Sequence, residues 1–145
     1  MSEARNTERV MRMSEGFSWE GASDAPYKEE GTHFRDVRRV NLAGMLGEQA
    51  AFHLRYFEIK AGGYTSKEHH EHVHVIFVVR GEGDILLGEK WQPLKFGDVA
   101  YVPPGMTHQM RNDFREPFGF LCVVDAVRDK PVVEGESEFD SICGE

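Results

Sequence analysis

The sequence is poor in three features that would each point to a particular class of protein. It has two cysteines, Cys122 and Cys143, which are too few for a disulfide framework. No apolar run approaches the roughly 20 residues that a membrane helix requires. Basic residues are outnumbered, since 17 Lys and Arg face 25 Asp and Glu and leave a net charge of -8. These shortages argue against a disulfide-stapled secreted domain, a membrane protein, and a nucleic-acid or anionic membrane partner.

The length of 145 residues fits one domain. The first residues, MSEARNTERV, mix charges and lack an apolar segment, so we expect no signal peptide and a cytoplasmic location. We expect a polar N-terminal arm with short ordered pieces over residues 1–30 and a folded barrel over 31–131. An acidic tail should follow over 132–145, and its composition predicts disorder.

Strand patterns dominate the middle of the chain. FRDVRRVNL and FHLRYFEIK predict strands, AGG predicts a turn, and HVHVIFVVRGEGDILLG predicts a hairpin. WQPLKF contains Pro93, which favours an edge strand, and FGFLCVVDAV predicts a last strand that closes the sheet. Short strands separated by Gly and Pro turns predict an all-β sandwich or barrel.

Residues 97–112, GDVAYVPPGMTHQMRN, form the most informative stretch. DVAYV has the β-branched and aromatic residues of a strand, and Pro-Pro-Gly then predicts a tight reversal. The turn delivers His108 at the start of the next strand, which makes it a candidate metal ligand. Asn112 is expected to fix the turn by hydrogen bonds.

A second cluster, EHHEHVH, spans residues 68–74. In a strand, alternate residues share a face, so Glu68, His70, His72 and His74 would lie together. Imidazole and carboxylate ligands suit Mn, Fe, Ni, Cu or Zn. His72 could be a ligand, could orient one, or could contact substrate. The cluster could also be a solvated metal-binding tract without a function.

Together these stretches resemble the two conserved motifs of the cupin superfamily, G-x5-H-x-H-x3,4-E-x6-G and G-x5-P-x-G-x2-H-x3-N. The second motif is complete here. In the first, anchoring on Gly81 places His74 at the usual glutamate, His70 at the second histidine, Glu68 at the first, and Gly62 at the opening glycine. The resemblance implies a single-domain all-β cupin, a jelly-roll barrel or double-stranded β-helix, with Glu68, His70, His74 and His108 as metal ligands. His69 or His72 could supply the fourth donor instead if a bulge intervenes.

The resemblance also implies a cofactor and a reaction. Residues 26–131 are similar to a group of small single-domain cupins, through strings such as LRYFEI, AGGYTS, FGFLCVVD and RDKP. Mn(II) or Fe(II) is expected, with Ni, Cu or Zn as alternatives. One activity in that group is a manganese-dependent removal of a methylthio group from a sugar phosphate. A dioxygenase, another cupin oxidoreductase, a sensor that binds a metal or a small molecule without turnover, and a metal-free ligand-binding cupin remain open alternatives.

Other residues are candidates for contact with a small-molecule substrate. Strand parity places Cys122 with Phe118, Phe120 and Val124, and the resemblance points it into the barrel, where it is the candidate catalytic residue. An inert buried thiol is the alternative. Arg55 or Tyr56 could bind an anionic group, and Met110 shares the parity of His108. Cupins of this type commonly pair, so we also expect a homodimer.

Overall fold

The structure is a computed structural model in which residues 7–28 and 33–135 are described. Within these ranges it contains strands and no helix, and hence no helix long and apolar enough to cross a membrane. The strands are β1 (Met13–Ser14), β2 (Ser18–Trp19), β3 (Asp24–Ala25), β4 (Arg35–Ala43), β5 (Phe52–Tyr64), β6 (Glu68–His69), β7 (His74–Arg80), β8 (Glu82–Leu87), β9 (Lys90–Lys95), β10 (Val99–Val102), β11 (His108–Arg111), β12 (Phe118–Asp125) and β13 (Val132–Val133).

The strands form a nearly closed antiparallel barrel. One wall has the order β10-β7-β12-β5-β4-β3, and the other is built from β9, β8, β11, β6 and β13. Strand β5 joins the two walls, because it pairs with β12 through Ile59 and reaches β11 at Tyr64. This arrangement confirms the predicted all-β jelly-roll barrel. The hairpin predicted over residues 72–88 is wrong, because β7 pairs with β10 and β12 whereas β8 pairs with β9 and β11, so the chain crosses from one wall to the other at Gly81.

The barrel interior is filled by residues that alternate along the strands, as their two-residue period requires. The main core holds Phe57, Ile59, Ile76, Val78, Ile85, Leu94, Ala100, Val102, Met110, Phe118, Phe120, Cys122 and Val124. Gly83 allows this packing, since a Cβ there would lie 2.2 Å from the Phe118 ring. Four of these residues, Phe57, Met110, Phe120 and Cys122, also border a polar cavity.

The N-terminal segment packs on the outside of the same chain. Strands β1 and β2 form a small hairpin, and β3 pairs with β4. The rings of Phe17 and Trp19 lie 5.4 and 5.1 Å from the ring of Tyr56. The predicted arm therefore contributes short ordered pieces to a second, smaller apolar cluster.

Three further local predictions are wrong. AGG does not end a strand, because β5 continues through it to Tyr64 with Gly62 at a φ of 83°. Residues 70–73 are a loop and not a strand. Val132–Val133 forms a strand with Glu68–His69, so the disorder predicted for the acidic tail does not hold for its first residues. Residues 136–145, including Cys143, lie outside the described part of the chain.

Candidate metal centre

Five of the six predicted or possible metal-binding side chains converge in the barrel. Glu68 lies in β6, His74 begins β7, and His108 begins β11, where it pairs directly with Glu68. His70 and His72 come from the loop between β6 and β7, so their approach does not depend on the strand parity used to predict it. All five are buried.

The turn of the second motif holds this loop in place. Gly105 adopts a φ of 76°, which glycine tolerates best, and its N–H donates to the carbonyl of His70 at 2.7 Å. Asn112 fixes the following turn, since its Nδ2 donates to the carbonyls of Ile59 and Glu116 and its Oδ1 accepts from the Phe114 N–H. The hydrogen-bonding role predicted for Asn112 is confirmed.

Hydrogen bonds select one tautomer for three of the imidazoles. The Nδ1 of His70 donates to the carbonyl of His72 at 2.7 Å, and the Nδ1 of His108 donates to the carbonyl of Met106 at 2.9 Å. The Nδ1 of His72 donates to the carboxylate of Asp129 at 2.8 Å. In a neutral ring the proton on Nδ1 leaves a lone pair on Nε2, which is the form that binds metals.

The distances fit a shared metal ion. The Nε2 atoms of His70 and His74 are 3.0 Å apart. Two nitrogens at about 2.1 Å from one ion and at right angles to each other would be separated by about 3 Å. Two overlapping sets have all their donor atoms within 4.8 Å of one another: His70, His72 and His74, and Glu68, His70 and His108. The donor set therefore suits a divalent transition metal.

Glu68 has one oxygen held and one directed to the histidines. Its Oε2 accepts from Lys28 Nζ at 2.9 Å and from Ser66 Oγ at 2.7 Å, while its Oε1 lies 4.0 Å from the Nε2 of His70. Burial raises the pKa of Glu68, but Lys28 and the hydrogen bonds outweigh it, so the pKa lies below its ordinary value. The carboxylate is thus ionised and can accept a metal bond.

His70, His74 and His108 are kept neutral. Burial, followed by the neighbouring His108 and His72, lowers the pKa of His70 to about 4. Burial and the same kind of crowding lower the pKa of His74 well below its ordinary value, and burial lowers that of His108. Neutral imidazoles are the ligating form, so these three residues need no proton loss at neutral pH to bind a metal.

The structure distinguishes among the candidates for the fourth metal ligand. His69 is partly exposed, and its Nδ1 faces Glu134 at 3.9 Å, away from the cluster. His72 stacks on His70 with ring centroids 3.6 Å apart, and its backbone N–H also donates to Asp129. Glu68 and His72 both remain in reach of the other donors, whereas His69 does not.

A cavity of about 190 Å³ lies against this cluster, and we call it the histidine cavity. Its lining residues are Tyr27, Lys28, Arg39, Arg55, Phe57, Thr65, Ser66, Glu68, His72, His74, His108, Met110, Phe120, Cys122, Arg128, Asp129 and Pro131. The predicted contacts Arg55, His72, Met110 and Cys122 are among them. The prediction for Tyr56 is wrong, because Tyr56 faces the opposite side of β5 and donates its hydroxyl to Glu58 beneath the N-terminal hairpin.

Cys122 lies between a candidate ligand and a cation. Its Sγ is 3.1 Å from the Nδ1 of His74 and accepts from the Nη2 of Arg55 at 3.7 Å. Burial raises the pKa of the Cys122 thiol, and Arg55 opposes that rise. The sulfur is therefore a buried thiol with two nitrogen groups directed at it.

Several lining residues were not predicted. Tyr27 and Lys28 come from the N-terminal segment, and Arg39 comes from β4, where the sequence does not tell it from Arg38. Arg128 and Asp129 belong to the RDKP string that the resemblance included without assigning them roles. The local sequence gives little indication of these contacts, because each depends on pairing across the barrel.

The comparisons with known proteins agree with this geometry. The cupin domain family profile matches residues 55–124. A 1-methylthio-D-xylulose 5-phosphate methylsulfurylase from Rhodospirillum rubrum is 34% identical over 142 residues, which are 95% of this chain and 88% of that protein. The chain belongs to the cupin family.

Two further relatives differ in how much of the chain they cover. The crystal structure of a cupin 2 conserved barrel domain protein from Rhodopseudomonas palustris superposes with a TM-score of 0.80 and 35% identity, over 91% of this chain and 89% of that one. A glucose-6-phosphate isomerase from Thermococcus onnurineus is 30% identical over 92 residues, which are 60% of this chain and 44% of that protein. The similarity to the isomerase is thus confined to part of each chain.

Proposed function

We propose that the protein is a metal-dependent cupin enzyme that removes the methylthio group from a ketose phosphate. The observation that carries this proposal is the position of the Cys122 thiol, which lies between His74 and Arg55 in the wall of the histidine cavity. The name of the Rhodospirillum rubrum relative supports the substrate, and the partial match to a glucose-6-phosphate isomerase supports a sugar phosphate.

Glu68, His70, His74 and His108 would hold Mn(II) or Fe(II), with His72 as an additional donor or a substrate contact. A divalent ion bound there polarises the carbonyl and enediolate oxygens of a ketose. The protein contributes the orientation of each ring through its Nδ1 partner. Asp129 has this role for His72.

Cys122 would accept the methylthio group as a nucleophile. Its thiolate attacks the methylthio sulfur, a sulfur–sulfur bond forms, and the carbon–sulfur bond breaks with its electron pair moving to carbon. The adjacent carbonyl stabilises that carbanion as an enolate, which then takes up a proton. The sugar carbon is reduced and Cys122 is oxidised to a methyl disulfide, so a small external thiol is needed to release the group.

Burial raises the pKa of the Cys122 thiol, but its polar neighbours favour the thiolate that this step requires. If Nε2 of His74 binds the metal, its Nδ1 carries the hydrogen and donates to Sγ, while Arg55 donates from the other side. Two donors and a nearby positive charge oppose the effect of burial on the thiol. A free thiol also suits a reducing compartment, which agrees with the proposed cytoplasmic location.

Metal content is the first test. The protein is purified without oxygen and without chelators, and bound metals are measured by mass spectrometry beside His74→Ala, His108→Ala and the control His69→Ala. We expect near-stoichiometric Mn or Fe in the wild type and in His69→Ala, and at least about tenfold less in the other two variants. Folded wild-type protein that holds no metal and takes none up on titration would contradict the proposal.

Turnover is the second test. The metal-loaded protein is incubated with 1-methylthio-D-xylulose 5-phosphate and a small thiol, and loss of the methylthio group is followed by mass spectrometry. We expect one methylthio group released per sugar without uptake of oxygen. Oxygen consumption coupled to turnover would favour the dioxygenase alternative, and tight binding without turnover would favour a sensor.

We also propose that the protein is a homodimer. The outer face of β7, β10 and β12 exposes a contiguous apolar surface of Val75, Phe77, Val99, Tyr101 and Val123, which we call the apolar face. Contiguous exposed apolar surface of this kind is typical of a protein–protein contact.

A further inference from the structure

Three guanidinium groups line one side of the histidine cavity, and we call them the arginine wall. Arg39 comes from β4, Arg55 from β5, and Arg128 from the segment after β12. On β5, Arg55 and Phe57 face inward, and Arg39 faces the same way because it pairs with Phe57. Three separate elements thus bring positive charge to one surface.

Arg55 is the most deeply placed of the three. Arg55 is only 8% exposed, and its Nε has no hydrogen-bond partner among the described residues. Its other contacts are the Cys122 sulfur and the face of the Phe57 ring, 4.9 Å from the guanidinium carbon. A buried cation that is not matched by an anion is costly, so this geometry calls for a negatively charged ligand.

The acids of the cavity are already engaged. Among the described lining residues, only Glu68 and Asp129 are acidic. Glu68 binds Lys28 and Ser66, and Asp129 binds the ring of His72 and the backbone N–H groups of Glu71 and His72.

The arginines also repel one another. Burial, followed by Arg55 and Arg39, lowers the pKa of Arg128. The Nη1 of Arg128 donates to the Asp125 carbonyl and lies 2.8 Å from the Nδ1 of His53, and neither of these partners is an anion. An anion bound between the arginines would relieve that repulsion.

We propose that the arginine wall binds the phosphate group of the substrate. This inference rests on the proposed function, because it takes a phosphate monoester as the ligand. A phosphate dianion presents several acceptor oxygens, and guanidinium groups recognise them through paired hydrogen bonds. Arg55 is the principal contact, and Arg39 and Arg128 supply further donors.

The arginine wall would also orient the substrate over Cys122. The sulfur lies 3.1 Å from His74 on one side and 3.7 Å from Arg55 on the other. A ketose phosphate with its carbonyl end at the histidines and its phosphate at the arginines must pass the sulfur. The wall would therefore set which end of the sugar meets the candidate ligands.

The test measures binding of inorganic phosphate by calorimetry, in the metal-loaded wild type and in Arg55→Met, at an ionic strength held constant with chloride. Arg115→Met is the matched control, since Arg115 is exposed and lies outside the cavity. His108→Ala is measured in parallel to separate phosphate on the arginines from phosphate on the metal. Arg128→Gln, which removes a half-buried arginine, serves as the second variant if Arg55→Met does not fold.

We expect phosphate to bind the wild type, Arg115→Met and His108→Ala, and to bind Arg55→Met or Arg128→Gln at least about tenfold more weakly. Equal phosphate affinity in the wild type and the arginine-wall variants would overturn the inference, as would loss of phosphate binding in His108→Ala alone. Arginine-dependent phosphate binding in a wild type without metal would support the inference and overturn the proposed metalloenzyme. A wild type that binds metal but shows no arginine-dependent phosphate binding would support the proposed metalloenzyme and overturn the inference.

Discussion

At the scale of single residues, mutation of Cys122 distinguishes a catalytic role from a purely structural one. A buried cysteine that only fills space behaves as a small apolar side chain. Here the sulfur contacts two nitrogen groups and borders the histidine cavity, whereas Val124 on the same face of β12 is buried in the main core and does not line the cavity. The two residues therefore form a matched pair for mutation.

Cys122→Ser should abolish methylthio removal while the metal content stays at the wild-type level. The hydroxyl keeps the hydrogen-bonding partners but is not an effective nucleophile toward sulfur, so a loss of about 100-fold or more is expected. Intact-mass analysis of the wild type after substrate and before the thiol should show one added methylthio group, which is absent in Cys122→Ser.

Val124→Thr is the control for a polar change at a neighbouring core position. It should destabilise the protein by about 1–3 kcal/mol through its buried hydroxyl, with turnover per folded molecule retained. Unchanged turnover in Cys122→Ser would show that Cys122 does not carry the methylthio group, even if the metal is required.

At the scale of elements, most of the strands were predictable from local alternation and turn residues, but their pairing was not. Gly81 and the Pro-Pro-Gly sequence mark the ends of strands locally, but neither turn forms a hairpin, since β7 does not pair with β8 and β10 does not pair with β11. Tyr56 was misplaced because alternation gives two faces without saying which is internal, and a second apolar cluster under the N-terminal hairpin made both faces buried.

The candidate metal residues were predictable for a different reason. Their spacing matches a motif, but the strand parity used to support it does not apply, since His70 and His72 lie in a loop held by Gly105 and Asp129. Lys28, Arg39 and Arg128 come from distant parts of the chain. Contacts of that kind are decided by the closure of the barrel, which no local pattern records.

The N-terminal segment is the element for which the structure predicts a pH dependence. Arg9 forms an ion pair with Glu48 and ties the segment to the region after β4. Burial raises the pKa of Glu48, but the hydrogen bond from Arg9 and the backbone hydrogen bonds outweigh it and bring the pKa to about 2. A lowered pKa stabilises the folded state fully above about pH 4.5, and this contribution is lost as the pH falls toward about 2.

We expect Glu48→Gln to weaken attachment of the segment by about 1 kcal/mol at pH 7, since Arg9 is partly exposed and solvent screens the pair. Fluorescence of Trp19 in a Trp91→Phe background reports its contact with Tyr56. The difference between wild type and Glu48→Gln should shrink as the pH falls below about 4. A difference that stays constant from pH 7 to pH 3 would show that the ion pair does not hold the segment.

At the scale of the whole molecule, the apolar face on β7, β10 and β12 lies outside the barrel while the histidine cavity lies within it. Phe77 and Val99 pair across β7 and β10, as do Val75 and Tyr101. Among the described strands, β10 pairs only with β7, so a sheet edge borders this face. An exposed edge beside an apolar surface favours association with a second copy.

Phe77→Lys should convert the proposed dimer into a monomer, because a charge at the centre of the apolar face would have to be buried without a partner. Phe114→Lys is the control, since Phe114 is 40% exposed beside 42% for Phe77 but lies in the turn between β11 and β12. Sedimentation velocity over a range of concentrations should give a dimer for the wild type and Phe114→Lys. A wild type that sediments as a monomer at all concentrations would contradict the dimer.

The monomeric Phe77→Lys variant also tests whether one chain holds a complete site. One chain already brings Glu68, His74, His108, Cys122 and the arginine wall together around the histidine cavity. Metal content and turnover of the monomer should therefore match those of the dimer when both are measured per chain. A monomer that stays folded but loses its metal would show that the second copy stabilises the loop of His70 and His72, and association would then be part of the function.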